Sequence, residues 1–426
     1  MFRSTSLRRL PLTLAAAGVS LLLGTSVYAQ TTVNFVGEAP LQVFSPVIEA
    51  FEKANPDIKI AYQQVPFEDL NAAIQSRVGG GDASIDIFEC DTPRIPAFAS
   101  KGYLLDLEGS RQKIETAVPN KVSIGEVSYK DKIYAYPMWN STQLLYFNRD
   151  LLKKANVPEP SAAEGDRLTW EKFLDEARAV KKGAGTKYGW AFQQVDRYYQ
   201  LQPLFESAGA GPGLKGPEML EPDLLNDKWV NVAKWYAAQF SEGLSPRGVT
   251  PNQSYDLFSN GETPFMITGP WAISIFDKTA SLNYGVAPMP YFKDGKPVTP
   301  TGSWSLAISP HAANSDAAKK FAEFATLTGE GSYLTVQNNP LPPVNADGYK
   351  IYADKMKQLT TKIGPAIDII TYESRDTPVS RPRSVGYVSF ETIMNKAFSD
   401  IRNGADVDAT LKQAQSQLKS TLGRIR

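Results

Sequence analysis

Few side chains in this chain could do covalent or metal chemistry, and those few are scattered. His311 is the only histidine and Cys90 the only cysteine, so a histidine-rich zinc site or a Ser-His-Asp triad lacks raw material. Other chemistries keep their ingredients. Among 45 Asp and Glu there is room for a glycosidase-type pair of carboxylates, about 5–5.5 Å apart with one raised pKa. Tyr198-Tyr199 is an adjacent pair of phenols of the kind that suits ferric iron. Arg381-Pro382-Arg383 presents two guanidinium forks, each able to grip two hydroxyls or one acid group. Aromatic residues are in surplus, with 7 Trp, 19 Tyr and 20 Phe, and flat rings are natural partners for apolar faces.

The elements that must position these groups alternate from the start. Val33–Val36 reads as a strand, followed by an amphipathic helix through Val43, Val47, Ile48 and Phe51 that stops near Asn55-Pro56. Ile58–Tyr62 is a second strand, Phe67–Val78 a second helix, and Ile85–Phe88 a third strand. Alternation of this kind implies right-handed crossovers and a parallel sheet covered by helices. Ligands of such sheets sit at the carboxyl ends of the strands. Glu38, Gln64 and the stretch Glu89–Thr92 therefore share one rim. Helices are expected at Trp170–Lys181 and Asp227–Ser241, and strands at Tyr284–Pro290 and Ser303–Ile308. A last helix from Asp406 keeps Val407, Leu411, Ala414, Leu418 and Leu422 on one face.

The remaining composition bears on where the chain works. Arg3, Arg8 and Arg9, an apolar run Leu10–Leu23 and the small residues ending at Ala29 read as a cleaved export signal over 1–29. No cysteine lies near that junction, so a lipid anchor is not expected. Lys and Arg total 45 against 45 Asp and Glu, and loss of the leader arginines tips the balance slightly acidic. That argues against nucleic acid and against an anionic membrane surface. With one cysteine the chain folds without an internal disulfide, and 426 residues point to two domains.

Several segments, in order along nearly all of the mature chain, resemble one family. They are Ile85-Asp86-Ile87-Phe88 with Asp91 and Phe98–Leu107, Ile133–Pro137 with Leu145–Leu152, Phe265–Ala272 with its Gly269-Pro270-Trp271, Tyr284–Pro290, Gly302-Ser303-Trp304, and Ala317–Phe321 through Gly329. Together they look like the extracellular solute-binding proteins of bacterial ABC importers, in the carbohydrate-binding group that includes maltose-binding proteins. The resemblance implies an α/β fold of two lobes, each a mainly parallel sheet flanked by helices, with a ligand cleft at the hinge. Residues 30–136 and 302–345 would form one lobe, and 137–301 with 346–426 the other. It further implies a periplasmic monomer that closes on a sugar or sugar acid, needs no cofactor or metal, and docks on membrane permease subunits.

The same resemblance nominates ligand-binding residues. Trp271 matches a tryptophan that stacks on a sugar ring in the family, and Gly302 with Trp304 occupies a segment where backbone approaches ligand. Asp91 stands where relatives commonly place a sugar-binding aspartate, with Glu89 its competitor. Trp139, Asn140 and Ser141 occupy the hinge segment, where the carboxylate of some relatives is absent. Glu38, Gln64, Gln194 and Arg197 come from strand ends. Arg381 and Arg383 resemble a Pro-Arg segment that faces the cleft, and both facing it would admit a uronate or phosphate. Two other functions compete: a ferric-ion binder of the same fold through Tyr198-Tyr199, which would colour on adding iron, and an exported carbohydrate-cleaving enzyme, which would turn glycans over.

Overall fold

The computed structural model describes residues 30–302 and 304–425, with the side chains of Glu68, Thr360 and Thr361 left aside. The leader expected over 1–29 lies outside the described residues. Among the described residues no helix is long and apolar enough to cross a membrane.

The described residues build two large sheets and three two-stranded ones. In the first, the spatial order is Ile58–Gln64, Thr31–Gly37, Ile87–Asp91, Trp304–Ile308 and Tyr136–Pro137. The first three strands are parallel, as their intervening helices require; Trp304–Ile308 runs against them, and Tyr136–Pro137, antiparallel to it, runs with them. Ile58–Gln64 is an edge strand, and it alternates buried Ile58 and Ile60 with exposed Lys59 and Ala61. The helix Leu41–Ala54 covers this sheet with Val43, Phe44, Val47, Ile48 and Phe51, the stripe that a 3.6-residue period demands.

The second sheet runs Tyr284–Pro288, Leu144–Asn148, Phe265–Thr268 and Ala191–Phe192. Every residue of Leu144–Asn148 is buried. Leu144 and Tyr146 face one core, while Leu145 and Phe147 face another that holds Trp170, Trp190 and Trp229. A strand buried on both faces is expected at the centre of a helix-sheet-helix sandwich. Tyr284–Pro288, Phe265–Thr268 and Ala191–Phe192 run the same way, as expected of a mainly parallel sheet, and Leu144–Asn148 alone runs against both its neighbours. That one strand is reached directly from the first sheet, without a crossover helix.

Crossing segments tie the two halves. Thr299–Pro300 pairs in parallel with Pro378–Val379. The helix Ala346–Lys357 packs on Gly329–Leu334, whereas Ala366–Asp376 packs on Tyr284–Pro288, so the chain returns to the second sheet between them. The terminal helix Val407–Leu422 is capped by the Asp406 side chain and buries the five expected apolar residues.

Candidate ligand cleft between the two sheets

The carboxyl end of Ile87–Asp91 carries two buried acids on the same side of the strand, Glu89 and Asp91. Glu89 Oε2 accepts the backbone N–H groups of Glu38 at 2.6 Å and Ala39 at 3.0 Å, which clamps the loop after the first strand. Gly37 has no room for a side chain, since a Cβ would lie 2.4 Å from that oxygen. Burial raises the Glu89 carboxyl to about 8, the Glu38 charge adds to the rise, and the two N–H bonds offset part of it.

Asp91 does something different. Its Oδ1 accepts from Arg381 Nη2 at 2.5 Å and its Oδ2 from Arg381 Nη1 at 2.8 Å, a bidentate pair bridging the two sheets' sides. Arg94, one short turn beyond Asp91, also bonds Oδ2 and extends its other arm to Glu391. Glu391 lies 3.6 Å from Arg381 Nη1 and accepts the Tyr387 hydroxyl at 2.9 Å, one helical turn away on Tyr387–Arg402. Asp91, Arg94 and Arg381 are only 2–4% exposed. Burial alone would raise the Asp91 pKa, yet Arg381 and then Arg94 hold the carboxyl below its ordinary value. Glu126 sits nearby, bonded by the Ser380 hydroxyl at 2.6 Å, and burial raises its pKa despite Ser380 and Arg381.

Aromatic rings frame this network. The Arg381 guanidinium lies 4.9 Å from the Tyr199 ring centre, and that ring is 6.5 Å from Trp271. Trp271, on the turn after Phe265–Thr268, donates its indole N–H to the Tyr255 hydroxyl at 2.8 Å. On the opposite side Trp304, in register with Asp91, meets Phe67 edge-on at 5.8 Å. Phe67 also receives the Arg197 guanidinium at 3.9 Å and Arg94 at 5.7 Å. Burial raises the Tyr255 pKa, with Glu38 pushing it further up and Arg197 pulling it down, so both charges bear on Trp271's partner.

The structure thus draws Asp91, Arg381, Trp271, Trp304, Arg197 and Glu38 toward one crevice. Ser141 joins at its floor, donating to the Gly302 carbonyl at 2.8 Å. Gly302 adopts φ +78°, and a Cβ there would stand 3.0 Å from Glu126. Trp139 is corrected to a core residue: it is 2% exposed, stacks on Phe44 at 5.7 Å, and gives its N–H to Thr335 at 2.7 Å. Gln64 is exposed and bonds the Glu38 carbonyl at 3.1 Å. Gln194 holds Gln200 through its backbone N–H at 2.5 Å, and Asn140 ties its own to Pro342 at 2.9 Å. Arg383 donates to the Ser128 carbonyl and acts on Glu126 rather than bonding Asp91. The Tyr198-Tyr199 pair diverges, with Tyr198 bonded to the Pro212 carbonyl and Tyr199 facing Gln143 at 3.5 Å, so the two phenols do not converge on a metal.

Sequence reasoning overlooked Arg94, Phe67, Tyr255 and Glu391. Arg94 was within reach, three residues past Asp91 on the rim. Glu391 was not, because nothing local to a helix announces a partner 297 residues away.

Two sheets with helices on their faces, joined by repeated crossings over a crevice of rings and forked polar groups, define a two-lobed binding protein. The chain belongs to the bacterial extracellular solute-binding protein family, whose model matches residues 38–331, more than half of its length. Among its relatives is a binding protein of Brucella abortus, 26% identical over 434 residues that span 94% of this chain and 97% of the relative. The maltodextrin-binding protein MdxE of Bacillus subtilis is 28% identical over 74% of this chain and 73% of its own. Among solved structures, the GacH receptor of Streptomyces glaucescens superposes with a TM-score of 0.78 at 21% identity, over 92% of this chain and 99% of that one. An ABC substrate-binding protein of Listeria monocytogenes, solved with cycloalternan, superposes equally well, at 22% identity over the same shares.

Proposed function

We propose that this chain is the exported capture component of an ABC importer and that it binds a carbohydrate between its lobes. The observation that carries the reading is the union, at one crevice, of Trp271, Tyr199 and Arg381 from the second half with Asp91, Trp304 and Phe67 from the first. A sugar has hydroxyls that suit planar, paired hydrogen-bonding groups and C–H faces that suit aromatic rings, and this crevice combines both. Relatives named for maltodextrin and maltooligosaccharide binding point the same way.

The working cycle is closure with capture. Residues 30–136 with 302–345 act as one lobe and 137–301 with 346–426 as the other, and a ligand touching both shifts the open–closed balance by its differential affinity. The protein works as a monomer in the periplasm, freed of its 1–29 leader, and hands its ligand unchanged to permease subunits. The test is a thermal-shift screen of neutral oligosaccharides, monosaccharides, polyols and sugar acids, followed by calorimetry on each hit. A true ligand raises the melting temperature with concentration as mass action requires. A panel with no carbohydrate hit would sink the reading, and cleavage of a hit on prolonged incubation would replace binding with catalysis.

A further inference from the structure

The arginines of the crevice are already spoken for. Arg381 places both terminal nitrogens on Asp91 and lies beside Glu391, and Arg94 shares the same two carboxylates. Two guanidiniums thus face two carboxylates, with Glu126 a third acid and Arg383 a third guanidinium acting on it. Arg383 is turned onto a backbone carbonyl, and Arg197 lies against the Phe67 ring. Unpaired buried groups here include the Nε–H groups of Arg94, Arg381 and Arg383, Glu89 Oε1, and the Gln193 amide oxygen at the end of Ala191–Phe192, single donors and acceptors of the kind hydroxyls satisfy. An acid group entering at Asp91 would find both guanidiniums that touch it, Arg381 and Arg94, already neutralised by Asp91 and Glu391, and Arg383 offset by Glu126. An anion desolvated in a charge-balanced site gains no counter-charge to offset its lost hydration, which disfavours it against a neutral ligand of the same shape.

We infer that Asp91 and Glu391 are specificity determinants: by neutralising Arg381 and Arg94 they restrict the crevice to uncharged carbohydrates and exclude uronates and sugar phosphates. The inference rests on the carbohydrate reading above and names the class of sugar. Asp91 then acts mainly through Arg381, as a positioning and charge-balancing residue. Its removal changes which ligand is preferred, besides how tightly any ligand is held.

The experiment uses matched ligands on the full mature chain: neutral glucose oligosaccharides, and the same chains carrying one glucuronate or one 6-phosphate. Calorimetry gives the neutral-to-acidic affinity ratio for the wild type, Asp91→Asn and Glu391→Gln, each first checked for native circular dichroism. The wild type should favour the neutral member of each pair by about tenfold or more. Either variant should move that ratio toward the acidic member by about tenfold, because one guanidinium loses its counter-charge. If Asp91→Asn does not fold, Glu391→Gln carries the test alone. A wild type that binds acidic members as well as neutral ones overturns the inference. So does a variant that weakens both members equally, since a purely structural role leaves the ratio fixed. If the wild type binds no member of either series while another carbohydrate binds, the inference about charge is tested on that sugar and its uronate. If no carbohydrate binds at all, the function itself is wrong and the inference falls with it.

Discussion

Trp271 and Glu89 show how differently two residues on neighbouring rims are used. Trp271 keeps a partly exposed ring and anchors its indole N–H on Tyr255, so its face stays open toward Tyr199 and Arg381. Replacing it with Ala should cost about 10- to 100-fold in affinity for the ligand found by the screen, the range of a central aromatic anchor. The melting temperature of the free protein should move little, and unchanged affinity by calorimetry would take Trp271 out of the site. Glu89 is sealed, with Oε1 buried and unpaired. Its carboxyl is raised from an ordinary 4.5 to about 8 by burial and the neighbouring Glu38 charge. Between those values the folded state keeps a proton that the unfolded state has released, so stability falls as pH rises through that window. Glu89→Gln removes the titration, and melting temperatures at pH 5 and pH 8 should differ less in the variant than in the wild type. An equal decline in both would show that Glu89 titrates normally.

Elements with a strong period were open to sequence reading. The apolar stripe from Val407 to Leu422 names the buried face of the last helix residue by residue, because every position answers to the same neighbours. That helix packs on Tyr387–Arg402 and Asp227–Ser241. Leu418→Ala should therefore destabilise the chain by about 2–5 kcal/mol in urea unfolding, while ligand affinity stays near that of the wild type. Other features were closed to such reading. Trp139 and Trp271 are the same residue type, and only the fold decides that one fills a core and the other lines a crevice. The strand expected at Ile85–Phe88 runs instead over Ile87–Asp91, since its end is set by pairing with Trp304–Ile308, a partner far along the chain. For the same reason the Asp91–Arg381 pair left no trace in local pattern: its members are 290 residues apart.

At the scale of the whole molecule, the two halves are joined by hinge strands and by a buried set of ion pairs, so separation of the lobes must break the latter. Removing one partner of such a pair leaves an uncompensated buried charge, so these contacts are costly to lose singly. Cys90 sits one residue from Asp91 on the same strand, buried, with its carbonyl taking the Ser305 hydroxyl at 2.8 Å. Burial pushes its thiol well above the ordinary range. A lone thiol so placed is a stopwatch for the first sheet: a thiol reagent can reach it only when Ile87–Asp91 and Trp304–Ile308 part. Labelling of the native chain should be slow, immediate in denaturant, and further slowed by a saturating ligand held against Asp91 and Trp304. A ligand that leaves the labelling rate untouched would mean that this sheet opens without disturbing the crevice. In an oxidising compartment the same burial has a chemical benefit, because a sulfur that surfaces so seldom is spared the mixed disulfides that exposed thiols collect.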